Sequence, residues 1–267
     1  MIDKGRLRQG DRTLTRQDKC VSGTIMSLCF QPRSLGLEPL IQTPDFALFD
    51  KPSGLLVHPA KATDEPSLID EIKYRYGMEA NVIHRLDRET SGLILAAKEK
   101  KSERLLKALF VQGSVTKNYL AYAKGHLVSS HIVQTPLHVT SPLRPGGFFA
   151  GEGGKSAKTS FIPLRYDPKT DTTLVKAIPH TGRTHQIRLH LADIGHPILG
   201  DPLYGTPKEI VNAYLEKRLS PAMRREHTGA GRLMLHAYSL SFTFDARYHV
   251  YSKNDFGAPG FLETGML

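Results

Sequence analysis

The chain has 267 residues, 40% of them hydrophobic, with a formal net charge of +10 and a pI near 9.6. That suffices for one sizeable core with a small appendage, and no apolar run reaches the ~20 residues that span a bilayer. A basic surplus of this size predicts a polyanionic partner, nucleic acid above all, against the alternative of a basic protein that binds none.

Residues 1–34 stand apart, with seven Lys and Arg against three Asp and no Glu. Their stretch "IDKGRLRQGDRTLTRQDKCVSGTIMSL" alternates strand-like pieces with glycine turns. It resembles the second half of a small RNA-binding module named after a ribosomal protein, without that module's leading helices. A basic arm is the other reading. Cys20 and Cys29 lack CxxC spacing and further cysteine company, so reduced thiols in a cytoplasmic protein are expected and a zinc site is not. The start shows no secretory leader. Residues 35–40, within "RSLGLEP", read as a linker, and residues 41–267 as one main domain.

"DFALFDK" alternates as a strand and is broken by Pro52 and Gly54. "PSLIDEIKYRYG" predicts a helix with Ser67 as its cap, Asp70 three residues on, an apolar face of Leu68, Ile69, Ile72 and Tyr76, and Gly77 at its end. "GLILAAK" reads as a buried strand and "KKSERLLKALFVQG" as a helix closed by Gly113. "KNYLAYAKG" is a strand with Tyr119, Ala121 and Ala123 on one face. Residues 141–155, rich in Gly and Pro, predict a long mobile loop, and "TTLVKAI" a further strand.

"THQIRLHLADIGHP" predicts a short helix capped by Thr184 with Ile187, Leu191 and Ile194 as its stripe. "TPKEIVNAYLEKRL" predicts another, with Thr206 as cap, Pro207 at the first helical position and Glu209 reaching back. "RLMLHAYSLSFTF" closes the series as a long strand. Strands with interspersed helices and no regular alternation predict an α+β fold on a bent, mostly antiparallel mixed sheet. No solenoid repeat is present.

Polar density concentrates in "DKPSGLLVHP", "HRLDRETSG" and "PHTGRTHQIRLHLADIGHPILGDPLYG". His180, His185 and His190 are spaced by five; on a helix that is about 140° between neighbours, which does not make a metal face. Asp87 and Glu89 are a weak carboxylate pair for glycoside hydrolysis. Neither Ser53 nor Ser91 lies in GxSxG, and no phosphate-cradling GxxxxGK[ST] loop occurs. What remains is one aspartate in basic company. From the residues alone, Asp87 is a turn brace or a nucleophile, Tyr119 a core side chain or a stacking surface, and Arg188 a solvated helix charge or a carboxylate's partner. Lys51 reads as an RNA-backbone contact or a solvated strand-end lysine, Arg183 as a phosphate contact or a structural brace, and His84 as a hydrogen-bonding support for its loop rather than a proton shuttle.

"HRLDRETSG" resembles the signature of the RluA-type pseudouridine synthases. "KPSGLLVHP", "KNYLAYAKG", "HTGRTHQIRLHLADIGHPILGDPLYG", "RLMLHAYSLSFTF" and "FGAPGFLE" resemble that family's further blocks in its order, over residues 41 to 262. The resemblance implies isomerisation of uridine to pseudouridine in structured RNA, ribosomal before transfer RNA, by a monomer without metal, nucleotide or redox cofactor. It implies Asp87 as nucleophile, Tyr119 stacked on the flipped base and taking the carbon-5 proton, Arg188 paired with Asp87, and Arg85 filling the gap in the RNA. His84, Lys51 and Arg183 are implied supports of RNA binding. Physical chemistry agrees in part. A carboxylate attacks only when ionised, a nearby guanidinium favours that form, and a base must leave its stack to be reached. Two alternatives remain: a catalytically silent RNA-binding or ribosome-assembly factor, and a hydrolase using Asp87 with Glu89.

Overall fold

The structure, a computed structural model, describes residues 7–18, 20–27, 31–59, 65–139 and 148–256. Cys29, the start of the chain, residues 141–147 of the expected loop and the tail beyond Phe256 lie outside these residues.

Three short strands, β1 (Leu7–Gln9), β2 (Arg12–Thr13) and β3 (Met26–Ser27), pair antiparallel in the order β2-β1-β3. Their turn is held by Asp18, which accepts from the Thr15 N–H at 2.8 Å and pairs with Arg12. Cys20 is a free, exposed thiol. The segment read as a linker is docked: the Leu35 N–H and Ser34 hydroxyl donate to Glu71, and Arg75 bridges Glu71 and Glu38.

The main sheet contains β4 (Ile41–Gln42), β5 (Phe46–Lys51), β6 (Asn81–Val82), β7 (Ser91–Ala97), β8 (Thr116–Lys124), β9 (His131–Val133), β12 (Thr159–Asp167), β13 (Thr172–Pro179), β14 (Leu235–Thr243) and β15 (Arg247–Tyr251). Its order is β4-β5-β7-β14-β8-β13-β12-β9, with β6 also on β7 and β15 on β14. A separate ribbon pairs β10 (Leu137–Val139) with β11 (Phe148–Ala150), so part of the expected loop is strand. Among the paired strands of this sheet in the described residues, only β7 and β14 run parallel, through His236↔Ser91 and Ala237↔Gly92, and every other strand pair is antiparallel. This is the mixed sheet of an α+β fold. Gly92 has φ +107°, and a Cβ there would lie 2.3 Å from the Ala237 carbonyl oxygen. Glycine is therefore required where the two strands meet.

The alternation in "FALFDK" feeds two cores. Ala47 and Phe49 pack on one sheet face under Leu68, Ile69 and Ile72 of α1 (Leu68–Tyr76). Phe46 and Leu48 pack on the other with Leu106 of α2 (Lys100–Val111) and with Leu240 and Phe242. β7 is buried along its whole length because it is central and covered on both faces. Truncating a side chain such as Phe49 to alanine costs about 3–5 kcal/mol. A third cluster joins β8 and β13 to Ile187 and Leu191 of α3 (Gln186–Asp193).

The helix caps test the local reading. Asp70 accepts from the Ser67 N–H at 2.9 Å and its hydroxyl at 2.7 Å, as expected at the start of α1. Helix α3 begins one residue later than expected: His185, in the left-handed region at φ 56°, is its cap instead of Thr184. Helix α4 (Lys208–Leu215) lacks the expected capping box because the Thr206 hydroxyl donates to the Asp201 carbonyl at 2.8 Å. Helix α5 (Pro221–Thr228) was not anticipated, although its signals stand in the chain: Ser220 accepts from the Met223 N–H at 3.2 Å, Pro221 follows, and Gly229 closes it at φ +84°.

Candidate active site

Asp87 lies in the loop between β6 and β7, at the end of β7 where the two halves of the sheet meet. Arg188 comes from α3 on the other half, and its Nη1 donates to Asp87 Oδ2 at 3.2 Å. The guanidinium is almost buried, at 6% exposure, so one partner would not satisfy it. Asp201 supplies the rest, accepting from Nε at 2.7 Å and from Nη2 at 2.8 Å. Asp201 is itself fixed by the Leu203 and Tyr204 N–H groups at 2.9 and 3.2 Å. Burial opposes the charge on Arg188, but Asp201 and then Asp87 outweigh it and hold the pKa above the usual arginine value. Arg188 is thus a fixed cation locked in the plane of one carboxylate and presented to another.

His185 and Tyr204 form the next layer. The Tyr204 hydroxyl is 2.7 Å from His185 Nδ1, and His185 Nε2 is 3.7 Å from Asp87 Oδ2. Burial, then the Arg188 charge, lowers the His185 pKa, so the ring is neutral near pH 7. Burial raises the Tyr204 pKa, and the phenol keeps its proton. A phenol that donates to Nδ1 leaves the imidazole proton on Nε2, directed at Asp87. The left-handed backbone at His185 costs on the order of 1 kcal/mol and sets the ring in this position.

Tyr119 on β8 has alanine as its cross-strand partner on both sides, Ala177 on β13 and Ala237 on β14. The register shifts between Ala237 and Ser239, a bulge next to this notch. Tyr119 is partly buried and packs against the cores of both halves. Burial, then the Asp87 charge, raises its pKa, so it stands as a neutral phenol.

The loop that carries Asp87 is held from behind by "KPSG". The Arg88 carbonyl accepts from Lys51 Nζ and the Gly54 N–H, each at 2.9 Å, and the Glu89 carbonyl from the Ser53 hydroxyl at 2.6 Å. Lys51 is 1% exposed and also donates to the carbonyls of Pro52 and Leu55 at 2.9 Å. Burial lowers its pKa to about 8. The expectation of a phosphate contact at Lys51 is corrected: all three of its N–H donors serve backbone inside the fold.

His84 is likewise a support. Its Nε2 accepts from the Leu95 N–H at 3.1 Å and its ring stacks on Phe110 at 4.9 Å. Burial, then the Lys117 charge, lowers its pKa to about 3. A neutral ring bonded to backbone does not attract phosphate, so His84 belongs with the loop's support and not with its RNA-facing groups. Arg85, two residues before Asp87, is exposed and makes no ion pair among the described residues. Arg183 is exposed at the mouth of α3 and gives Nε to the Ser156 carbonyl at 3.1 Å.

Glu89 is engaged within the fold. It is paired with Arg224 and accepts from the Tyr214 hydroxyl and the Leu233 N–H, each at 3.3 Å. Among the described residues no group of three or more His, Cys, Asp or Glu could hold a metal ion, and no helix is long and apolar enough to cross a membrane. The sequence reading missed Asp201, Tyr204, His185 and Arg224. A signal for Asp201 was present: an arginine on a packed helix needs several acceptors, and "GDPLYG" contains the nearest acid downstream other than Asp193.

Comparison with known proteins joins this site to a class. Residues 45–193 match the RNA pseudouridylate synthase family. An uncharacterised RNA pseudouridine synthase of Helicobacter pylori strain J99 is 39% identical over 252 residues, covering 93% of this chain and 83% of that protein. The dual-specificity RNA pseudouridine synthase RluA of Pasteurella multocida is 40% identical over 199 residues, covering 74% and 82%. Among solved structures, human RNA pseudouridylate synthase domain containing 1 superposes with a TM-score of 0.65 at 25% identity, over 82% of this chain and 84% of that one. The chain belongs to the RNA pseudouridylate synthase family. Within it the chain is of RluA type, and its reaction is the isomerisation of uridine to pseudouridine in RNA.

Proposed function

We propose that Asp87 is the nucleophile of this isomerisation, with Arg188 as its fixed counter-ion and Tyr119 as the surface on which the flipped uracil stacks. The Asp87 carboxylate bonds to the ribose C1′ as the bond to N1 breaks, the base turns, and C5 bonds to C1′ as the bond to Asp87 breaks, which restores the carboxylate. The C5 proton leaves and N1 gains one, so atoms and electrons balance without a redox partner; Tyr119, a neutral phenol, takes the C5 proton only as a relay, passing its own hydroxyl proton on as the other arrives. Arg85, exposed beside the nucleophile, takes the place of the extruded nucleotide, where its planar guanidinium can stack. Arg183 meets backbone phosphate.

The observation that carries this reading is the 3.2 Å contact of Asp87 with an arginine already locked on Asp201. Asp87→Asn keeps the size of the side chain and removes the nucleophile. It should abolish pseudouridine formation in a synthetic RNA substrate and leave RNA binding within a few-fold. Normal turnover in this variant removes the assignment, and loss of binding in parallel means the residue is structural. A silent factor is disfavoured because Asp87, Tyr119 and Arg188 are all present at one junction.

For the substrate we propose structured ribosomal RNA, with transfer RNA second, acted on by a cytoplasmic monomer. Residues 1–34 act as a small RNA-binding appendage to a catalytic domain of residues 41–267. Support comes from the exposed basic side chains Arg8 and Arg12 on the small sheet and from a Zymomonas mobilis relative named ribosomal large subunit pseudouridine synthase D. Pseudouridine mapping of cellular RNA with and without the gene identifies the target, and a site lost only from transfer RNA overturns the first choice. Removal of residues 1–34 should flatten the salt dependence of RNA binding. An unchanged slope means the appendage does not touch phosphate, and sedimentation above 29.7 kDa refutes the monomer.

A further inference from the structure

A cavity of about 820 Å³ adjoins the catalytic loop, and neither Asp87, Tyr119 nor Arg188 lines it. It opens between the Ser53–Gly54 turn, the Arg88–Glu89 end of the loop, and the end of α4. Four cations face it, Arg88, Lys217, Arg224 and Arg232, against two carboxylates, Glu65 and Glu89, a balance of +2. Both carboxylates are occupied, Glu65 by Arg88 and Glu89 by Arg224. Lys217 is exposed and has no ion pair among the described residues. The Tyr214 ring and the half-exposed Leu215 supply an apolar wall. Nothing in the cavity is arranged as an acid, base or nucleophile, so it is built to bind.

A basic wall opposite an aromatic one suits a nucleotide, with phosphate on the cations and base against the ring. The volume lies within the ~300–1,000 Å³ of sites for small organic groups. Arg88 and Glu89 follow Asp87 directly, about 3.8 Å per residue, so an RNA strand at Asp87 is about a nucleotide away. We infer that this cleft holds a nucleotide flanking the target uridine, its phosphate on Lys217 and its base against Tyr214. The inference rests on the reading that uridine reacts at Asp87.

The test is Lys217→Glu, compared with Lys169→Glu, which makes the same charge change in the exposed β12–β13 turn. Both are assayed with a synthetic stem–loop RNA that the wild-type enzyme converts. Lys217→Glu should raise KM about five- to tenfold and cut the slope of log affinity against log salt by about 0.7–0.9, the share of one phosphate contact. Lys217→Arg should restore both. If Lys217→Glu matches Lys169→Glu in KM and salt slope, the cleft does not hold RNA. If the wild-type enzyme forms pseudouridine but Asp87→Asn also does, the reading of the site fails, and that result is independent of Lys217.

Discussion

Asp201→Asn probes the locked arginine directly. The change keeps the size of the side chain and removes its charge. Asp201 now accepts two parallel N–H bonds from Arg188, at 2.7 and 2.8 Å. An asparagine can accept one of them; its amide nitrogen then points N–H at N–H. Removing one member of a buried ion pair costs about 3–5 kcal/mol, because the remaining charge stays buried. Arg188 is 6% exposed but keeps Asp87 as a partner, which places the expected loss near the lower end, about 3 kcal/mol. At roughly 2–4 °C per kcal/mol for a chain of this size, the melting temperature should fall about 6–12 °C. The freed guanidinium also loses its plane relative to Asp87. Misplacement of about 1 Å at a reacting group is worth on the order of 100-fold, so kcat should fall by that order. Thermal melting and single-turnover pseudouridine formation check the two numbers. A variant that melts within about 1 °C of the wild type and turns over within about twofold refutes the argument that Asp201 fixes Arg188.

Tyr204→Phe removes the hydroxyl that sets the His185 tautomer and should lower kcat about tenfold, about 1.4 kcal/mol, with little change in KM. The effect should vanish in a His185→Ala background; equal losses in both backgrounds mean that Tyr204 acts without His185. His84 is held neutral with a pKa of about 3, whereas an unfolded histidine titrates near 6.5. Below pH 6.5 the unfolded chain takes up a proton that the folded chain refuses, so stability is lost as pH falls towards 3. The loss between pH 7 and pH 5 is about 2 kcal/mol for this group. His84→Gln keeps an acceptor for the Leu95 N–H and should lose about that much less over the same interval in denaturant titrations; an identical acid profile contradicts the buried-neutral assignment.

The legible parts of the fold were those with strong local chemistry. "FALFDK" and "GLILAAK" read as strands because apolar residues dominate them, and α1 read correctly from Ser67 to Gly77 because its cap is a local bond. Thr184 and Thr206 misled the reading. A threonine beside a helix is a cap only if nothing else claims the position, and here His185 adopts a left-handed backbone and Thr206 serves the Asp201 turn. Within the site, Asp87 and Arg188 stood out as types. They lie 101 residues apart, and no periodicity reports such a pairing; Asp201, 13 residues beyond Arg188, is nearer in sequence but sits in the turn after the helix, where no helical spacing marks it as the arginine's partner. Lys51 looked like a surface group for the same reason, and His84, read as a support for its loop, gave no local sign of how it is buried. Their burial is a tertiary fact, set by three carbonyls in one case and by a strand N–H and a phenylalanine in the other.

The parallel ladder of β7 and β14 is two residue pairs long, and it is where β4, β5, β6 and β7 join the rest of the main sheet. Asp87 belongs to one side of that seam and Arg188 to the other. The gap between acid and counter-ion is therefore a property of the joint and of neither lobe alone. A sliding of one lobe by a single rung, about 3.3 Å, would be as large as the gap itself and enough to break the hydrogen bond. Gly92, with no room for a Cβ against the Ala237 backbone, lets the two strands come this close, so a residue without a side chain sets how near the acid and its counter-ion can lie.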